Sequence, residues 1–307
     1  MTSIDNYKRT SELLFASAGV QPQSKFVVTD GPVKKVHYYE TGNGKPLIII
    51  HGGGAHAVQT YPIIKSLQEK FHLYILDRPG CGLTDTFDYS GVHLPNHATD
   101  FVRSFMDAIG IEKASFVGQS MGGFFSINFA LIFPQRVEKV LLVGHPFGGA
   151  RKIPFMLRLM GVKGINSLLI KMIGTPNKKG TKQFYGQLLV ADNKKLSDDY
   201  LENDVCAALL PGTGVSFVSL LENSVGIGGV KKSYLLTKKM KELTMPVCFI
   251  IGDRDSFDTV DNLRKIVATM KNGTIEVVSG GGHILWLDEP EVCSKLILQH
   301  LSETNVS

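Results

Sequence analysis

Cysteine is scarce in this chain of 307 residues, which contains four of them. They are widely spaced and none forms a CxxC pair, so they predict neither a disulfide framework nor a zinc site. We therefore expect reduced thiols, no bound metal and a cytoplasmic protein. The four are Cys81, Cys206, Cys248 and Cys293.

Long hydrophobic runs are also lacking. The longest, such as residues 46–50 and 140–143, fall far short of the ~18 residues that a membrane span needs, so no transmembrane segment is predicted. The apolar stretch 13–20 is short and follows acidic residues, which favours a leading amphipathic helix over a signal peptide. Hydrophobic residues still make up 43% of the chain, enough for one large domain that carries an insertion.

Runs of basic residues are missing too, although the net charge is +5. Residues 147–245 contain 15 Lys/Arg against 7 Asp/Glu, but no basic run there exceeds two residues or alternates with aromatic side chains. No nucleic-acid partner is therefore predicted. A solvated helical surface is the preferred interpretation of this charge. Attraction of anionic substrates or lipid headgroups stays open, as does assembly into a homo-oligomer.

Strand and helix patterns alternate along most of the chain. Two early segments alternate apolar and polar residues, whereas later strands are continuous apolar runs typical of strands buried on both faces. This order predicts an α/β fold whose sheet is mostly parallel and begins with an antiparallel hairpin. The predicted strands are 25–29, 34–39, 46–50, 73–76, 115–117, 140–143, 247–251 and 274–278, and the predicted helices are 61–70, 97–109, 122–133, 260–270 and 291–301.

The alternation lapses between the strands at 140–143 and 247–251. Residues 147–245 are predicted to be helices and loops, with apolar helix faces and flexible joints, marked by Gly and Lys, at 174–182 and 226–232. We therefore expect a core domain of residues 1–146 and 246–307, interrupted by a helical insertion of residues 147–245.

The most informative motif is Gly-Gln-Ser-Met-Gly at residues 118–122. It follows an apolar strand and opens a helix rich in small residues, as a nucleophile elbow requires. Glycine is needed at its flanking positions because a side chain would collide where the backbone is strained. Ser120 at a helix N-terminus is the predicted nucleophile.

A serine hydroxyl needs a base and an acid that orients the base. His283 follows three glycines after one predicted strand, and Asp253, Asp255 and Asp258 follow another. Both positions are carboxyl ends of parallel strands, where open α/β sheets build their sites. His283 is the predicted base and Asp255 the predicted acid, because a residue about three past Gly252 can turn back toward the histidine.

His-Gly-Gly-Gly at residues 51–54 follows the strand 46–50. Glycines leave backbone N–H groups uncovered, and a tetrahedral acyl intermediate needs two such donors. Gly53 is predicted as the first donor and Met121, just after the nucleophile, as the second. A phosphate-binding loop is disfavoured because no Gly-Lys-Ser/Thr follows. His51 is predicted to have a structural role.

Together these motifs resemble the α/β-hydrolase superfamily over nearly the whole chain. Residues 51–54 match its oxyanion turn, residues 77–83 with Asp85 its loop after the fourth strand, and residues 118–123 its elbow. The order Ser120, Asp255, His283 is the one this family uses. The resemblance implies a mostly parallel eight-stranded sheet with helices on both faces and a helical cap inserted after the sixth strand.

The resemblance also implies a function. Ser120 argues against haloalkane dehalogenases and epoxide hydrolases, which carry aspartate at this position. We expect a serine hydrolase, foremost an esterase or lactonase acting on small to medium apolar substrates, with no metal or organic cofactor. Two alternatives stay open: hydrolysis of carbon-carbon bonds in ring-fission products, and a small-molecule receptor with slow turnover. Gly54 and Ile284 depart from the pattern typical of the carbon-carbon hydrolases.

Overall fold

The computed structural model describes residues 2–303. Eight strands form one sheet in the order β1-β2-β4-β3-β5-β6-β9-β10, and β7 pairs with β8 in a separate ribbon. The strands are β1 Gln23–Val28, β2 Lys35–Thr41, β3 Lys45–Ile50, β4 Phe71–Leu76, β5 Ala114–Gln119, β6 Val137–Val143, β7 Val225–Gly226, β8 Gly229–Val230, β9 Val247–Gly252 and β10 Gly273–Val278.

The sheet is mostly parallel, as predicted. The hairpin β1–β2 is antiparallel and β2 also pairs antiparallel with β4, whereas all other neighbours run parallel. Every residue of β5 and β9 is buried, which explains the continuous apolar run in β9. The parallel strands therefore end at one edge of the sheet, where the motif residues follow them.

Helices cover both faces of the sheet. Ile48 and Ile50 of β3 point into one core, and Leu47 and Ile49 point into the other, because successive side chains of a strand alternate in direction. The helices are α1 Ser3–Ser17, α2 Tyr61–Gln68, α3 Leu94–Ala108, α4 Met121–Ile132, α5 Phe155–Met160, α6 Ile165–Ile173, α7 Lys178–Leu188, α8 Asp198–Ala208, α9 Thr213–Ser224, α10 Val260–Val267, α11 Leu285–Asp288 and α12 Pro290–Ser302.

The chain segment between β6 and β9 adds no strand to the main sheet. It contains α5 to α9 and the short ribbon β7–β8. The joints predicted at 174–182 and 226–232 differ from the structure, because α7 begins at Lys178 and residues 225–230 form the ribbon. The division into a core and an insertion stays a prediction, and residues 147–245 are called the insertion below.

The insertion contacts the start of the chain. Helix α8 lies against α1, where the Asn203 amide donates to the hydroxyls of Thr10 and Ser11, both at 3.0 Å. Arg9 and Glu202 add an exposed ion pair at 3.2 Å. These contacts tie the insertion to the leading helix that the sequence predicts.

No single helix among residues 2–303 combines the length and the apolar composition needed to cross a bilayer. Helices α8 and α9 meet those two criteria only when taken together, and they are bent by 80° relative to each other.

Candidate active site

Ser120 stands at a sharp turn between β5 and α4. Its φ of 50° makes it the one non-glycine residue with positive φ in the described chain. The turn depends on its glycines. A Cβ on Gly122 would lie 1.9 Å from the Ile50 carbonyl oxygen, and one on Gly118 would lie 2.8 Å from the backbone of Gly122. The turn predicted as a nucleophile elbow is therefore strained, and it leaves no room for a side chain at either glycine position.

His283 and Asp255 form a buried pair. The Nδ1 atom of His283 lies 3.0 and 2.9 Å from the two carboxylate oxygens of Asp255. Asp255 also accepts the backbone N–H of His145 at 3.0 Å and that of Phe257 at 2.9 Å. Burial alone would raise the pKa of Asp255, but His283 and these hydrogen bonds lower it below the ordinary value. The carboxylate therefore stays ionised and orients the imidazole.

The other ring nitrogen of His283 is available for chemistry. Nε2 is buried and has no hydrogen-bond partner among residues 2–303, so no bond joins it to Ser120. The Phe257 ring stacks on the imidazole with centroids 3.7 Å apart. The Gln119 amide donates to the His283 carbonyl at 3.2 Å, which ties the histidine loop to the residue preceding Ser120. Catalytic hydrogen bonds often form only when substrate binds.

The two residues whose amides are predicted to bind an oxyanion lie close together. A Cβ on Gly53 would stand 3.9 Å from the Cβ of Met121. Neither the Gly53 N–H nor the Met121 N–H has an acceptor in the part of the chain that the structure describes. Gly54, with φ of 68°, completes the turn in a conformation that favours glycine. Backbone N–H groups without an acceptor are the kind of donor that a tetrahedral oxyanion needs.

A buried arginine holds this turn in place. Arg78 donates from Nε to the His51 carbonyl at 3.1 Å and from Nη2 to the Gly52 carbonyl at 2.6 Å. Its backbone N–H also donates to Nε2 of His51 at 3.1 Å. Burial and the neighbouring Arg78 charge lower the pKa of His51 to about 3, so this histidine is neutral. His51 thus makes the structural hydrogen bonds that the sequence predicts for it.

Three further supporting residues are ones that sequence reasoning missed. Gln119 and His145 contact the His283–Asp255 pair as described above. Asp288 accepts the backbone N–H of Gly282 at 2.8 Å and that of Ala191 at 2.9 Å, so it links the histidine loop to the insertion. The only available signal was position: Gln119 lies inside the elbow motif and Asp288 lies five residues after His283.

A cavity of about 190 Å³ lies beside His283. One wall comes from the core and the other from the end of α7 and the residues that follow it. The lining residues are 186–191, Arg254, Ser256, Gly282 and His283. The insertion therefore forms part of the space next to the predicted base. No group of three or more His, Cys, Asp or Glu side chains able to hold a metal ion occurs within residues 2–303.

Residues 45–158 match the family model of the alpha/beta hydrolase fold. A 2-hydroxy-6-oxononadienedioate/2-hydroxy-6-oxononatrienedioate hydrolase of Comamonas testosteroni is 26% identical over 275 residues, 87% of this chain and 91% of the relative. A 2-hydroxy-6-oxo-6-phenylhexa-2,4-dienoate hydrolase of Burkholderia cepacia is 27% identical over 286 residues, again 87% and 91%.

Solved structures share the fold. The carboxylesterase CesB of Bacillus subtilis superposes with a TM-score of 0.78 at 18% identity, covering 98% of this chain and 99% of that one. A meta-cleavage product hydrolase of Pseudomonas fluorescens IP01 gives 0.73 at 21% identity, covering 92% and 98%. The fold is thus that of an α/β-hydrolase, and the protein is an enzyme of the hydrolase class. In sequence the chain is similar to these hydrolases, and in fold it is similar to the α/β-hydrolase structures.

Proposed function

We propose that the chain is a serine hydrolase of carboxylic esters or lactones, with Ser120 as nucleophile, His283 as base and Asp255 as acid. The observation that carries this proposal is the buried His283–Asp255 pair at 2.9 Å, with Nε2 of His283 left without a partner. Such a pair needs a hydroxyl to activate, and the strained elbow presents Ser120 on the same edge of the sheet.

In the proposed reaction, the Ser120 hydroxyl oxygen attacks the carbonyl carbon of the ester while its proton moves to Nε2 of His283. The carbonyl oxygen becomes an oxyanion that accepts from the N–H groups of Gly53 and Met121. The carbon–oxygen bond to the alcohol then breaks, and the alcohol leaves with the proton from His283. Water repeats the sequence on the acyl-enzyme, which releases the acid and restores Ser120.

An apolar substrate is supported by the side chains around the elbow. Phe257 stacks on His283, and the Phe217 ring would lie 3.0 Å from a Cβ on Gly54. We propose that the insertion acts as a cap that completes a pocket for small to medium acyl groups.

Hydrolysis of carbon-carbon bonds in a ring-fission product is the second candidate. It is favoured by the sequence relatives, which are described as hydrolases of dienoates and dienedioates. It is also favoured by Arg254, which is exposed and lines the cavity beside His283. A guanidinium there suits a substrate carboxylate. The two candidate reactions use the same nucleophile. They differ in the bond that is cleaved and in the charge of the substrate.

The nucleophile is tested with a fluorophosphonate probe and intact-mass spectrometry. One label per chain is expected, and Ser120→Ala should abolish it. Ser256→Ala, which removes a serine hydroxyl beside the same cavity, is the matched control and should label at the normal rate. Full-rate labelling of Ser120→Ala would refute the assignment.

The substrate class is tested with a ladder of p-nitrophenyl esters and a dianionic dienoate. Each buried CH₂ is worth ~0.8 kcal/mol, so kcat/KM should climb about fourfold per carbon until the pocket is full. Preference for the dienoate over every ester, with KM raised in Arg254→Gln but not in Arg264→Gln, would favour the carbon-carbon candidate. A single burst of product per chain without turnover would instead indicate a receptor.

A further inference from the structure

Helix α6 of the insertion presents its apolar side chains to solvent. Six of its nine residues are Ile, Leu or Met, yet Leu168 is 60% exposed and Met172 74%. Ile165, Leu168 and Met172 follow one another at the spacing of a helix face, so they form one stripe. An isolated apolar residue on a surface is ordinary, whereas a whole helix face is a mark of an interaction site.

The orientation of α6 is fixed by a polar residue that points inward. Asn166 is the one fully buried side chain of the helix, and its amide donates to the Glu222 carboxylate at 2.6 Å. Its side-chain oxygen accepts the N–H groups of Gly164 at 3.1 Å and Ser167 at 2.7 Å. Turning the apolar stripe toward the core would break these hydrogen bonds. The Glu222 carboxylate would then lose its amide partner. The outward stripe is therefore the stable arrangement of this helix.

The neighbouring helix α5 extends the apolar surface. Phe155 and Met156 are exposed as well. Other apolar residues of the insertion, such as Met160 and Leu221, are buried. We call the exposed set the apolar face. It consists of Phe155, Met156, Ile165, Leu168, Ile170, Met172 and Ile173.

The chain segment that carries the apolar face has charge of one sign. Residues 151–191 contain eight Lys/Arg and no Asp or Glu, which gives +8 and leaves −3 for the rest of the chain. Lys163, Lys171 and Lys179 are exposed and pair with no carboxylate among residues 2–303. Lys171 lies three residues after Leu168, directly beside the stripe. The basic charge is thus concentrated on the part of the insertion that also exposes apolar side chains.

We propose that the apolar face docks on an anionic lipid bilayer. A helix with an apolar stripe flanked by lysines lies in the plane of the interface, its apolar side among the acyl chains and its cations at the headgroups. A second copy of this chain fits less well, because a symmetric dimer would bring two +8 segments together. The proposal rests on surface features and is independent of the reaction catalysed.

The length of the docking helix suits shallow insertion. Nine residues span ~13 Å, less than half of what crossing the hydrocarbon core requires. Glycines with positive φ and open space around them, Gly164 and Gly174, bound α6 on both sides. The helix can therefore adjust to a flat surface without disturbing the sheet.

Cosedimentation of the full chain with vesicles tests the proposal. Vesicles of phosphatidylcholine mixed with phosphatidylglycerol should bind the protein, vesicles of phosphatidylcholine alone should bind it far more weakly, and added salt should reduce binding. Leu168→Ser/Met172→Ser should weaken binding at least about tenfold. Removal of three lysines, each worth ~1 kcal/mol at such a surface, should weaken it roughly 100-fold. That variant is Lys163→Ala/Lys171→Ala/Lys179→Ala.

Matched controls alter the same chemistry elsewhere on the surface. Val28→Ser/Ile132→Ser removes two side chains that are 77% and 63% exposed on the core domain, and Lys113→Ala/Lys265→Ala/Lys271→Ala removes the same amount of charge. Both should bind vesicles within about twofold of the unmodified chain. Circular dichroism and hydrolysis of a short soluble ester should be unchanged in all four variants.

Three results would overturn the proposal. One is no binding to either vesicle, and another is equal binding to neutral and anionic vesicles. The third is a concentration-dependent dimer, measured by sedimentation velocity, that Leu168→Ser/Met172→Ser abolishes while vesicles remain unbound. This last result would assign the apolar face to contacts between copies of the chain.

Discussion

At the scale of single residues, Asp255 and Asp253 hold different partners although they lie two positions apart. Asp255 is buried and binds His283 together with two backbone N–H groups. Asp253 is exposed and accepts one bond, from the Gly280 N–H at 2.8 Å. The structure therefore places Asp255, and not Asp253, against the histidine.

Asp255→Asn should lower kcat by about 10⁴ with little loss of stability, because an amide holds the imidazole in the wrong tautomer. Asp253→Asn should change kcat less than about tenfold. Steady-state hydrolysis of a p-nitrophenyl ester, with urea unfolding as the folding control, measures both. An exchange of the two severities would identify Asp253 as the acid.

The supporting residues that sequence reasoning missed were missed for one physical reason: their partners are far away in the sequence. Gln119 bonds the carbonyl of a residue 164 positions away, and Asp255 accepts the N–H of a residue 110 positions away. Asp288 accepts the N–H of a residue 97 positions away. Ser120, His283 and Gly53 have local signatures, since glycines and strand ends mark them, whereas long-range partners become visible only when the chain is folded.

At the scale of elements, the contact between β3 and α4 depends on the close approach of their two backbones. A Cβ on Gly122 would meet the Ile50 carbonyl oxygen at 1.9 Å, while one on Gly123 would meet side chains of Leu142 and Pro146 at 3.1 Å. Backbone atoms of a central strand cannot move aside as side chains can. The two adjacent glycines therefore differ in how strictly they are required.

Gly122→Ala should lower the free energy of unfolding by roughly 3 kcal/mol or more, in the range seen for overpacked cores and strained turns. Gly123→Ala should cost about 1 kcal/mol or less, partly offset by its better helix propensity. Urea titration followed by circular dichroism gives both values. Equal effects of the two substitutions would show that β3 gives way more easily than the contact distance implies.

Most elements were predictable because their patterns are strong. The buried strands appear as apolar runs and their observed bounds lie within a few residues of the predicted ones. Helix α3 begins at Leu94, three residues earlier than predicted, because Pro95 suits the first helical turn. The ribbon β7–β8 is too short to show a pattern. In α6 the pattern gives a helix but not which face is covered, since that is decided by Asn166 and its distant partner Glu222.

At the scale of the whole molecule, burial of histidines couples folding to pH. His51 and His97 have pKa values lowered to about 3, chiefly because burial disfavours the charged ring. In the unfolded chain each has the ordinary value near ~6.5. As the pH falls below that value, the unfolded state takes up protons that the native state does not. The stabilisation is thus fully present above pH ~6.5 and is lost as the pH falls toward 3.

His97 allows this coupling to be isolated, because its ring is packed among aromatic side chains and its Nε2 has no hydrogen-bond partner in the described chain. Each such histidine contributes about 1.4 kcal/mol per pH unit to the slope of the unfolding free energy. His97→Phe should remove one such contribution between pH 6 and 4, and stability at pH 7 should be unchanged or higher, since an unpartnered buried nitrogen is lost.

His93→Phe, at an exposed histidine just before the same helix, is the control and should leave the slope unaltered. Urea unfolding at a series of pH values measures the slopes. If His97→Phe unfolds with the slope of the unmodified chain, His97 is already protonated in the native state and its burial does not govern the acid limit of the fold.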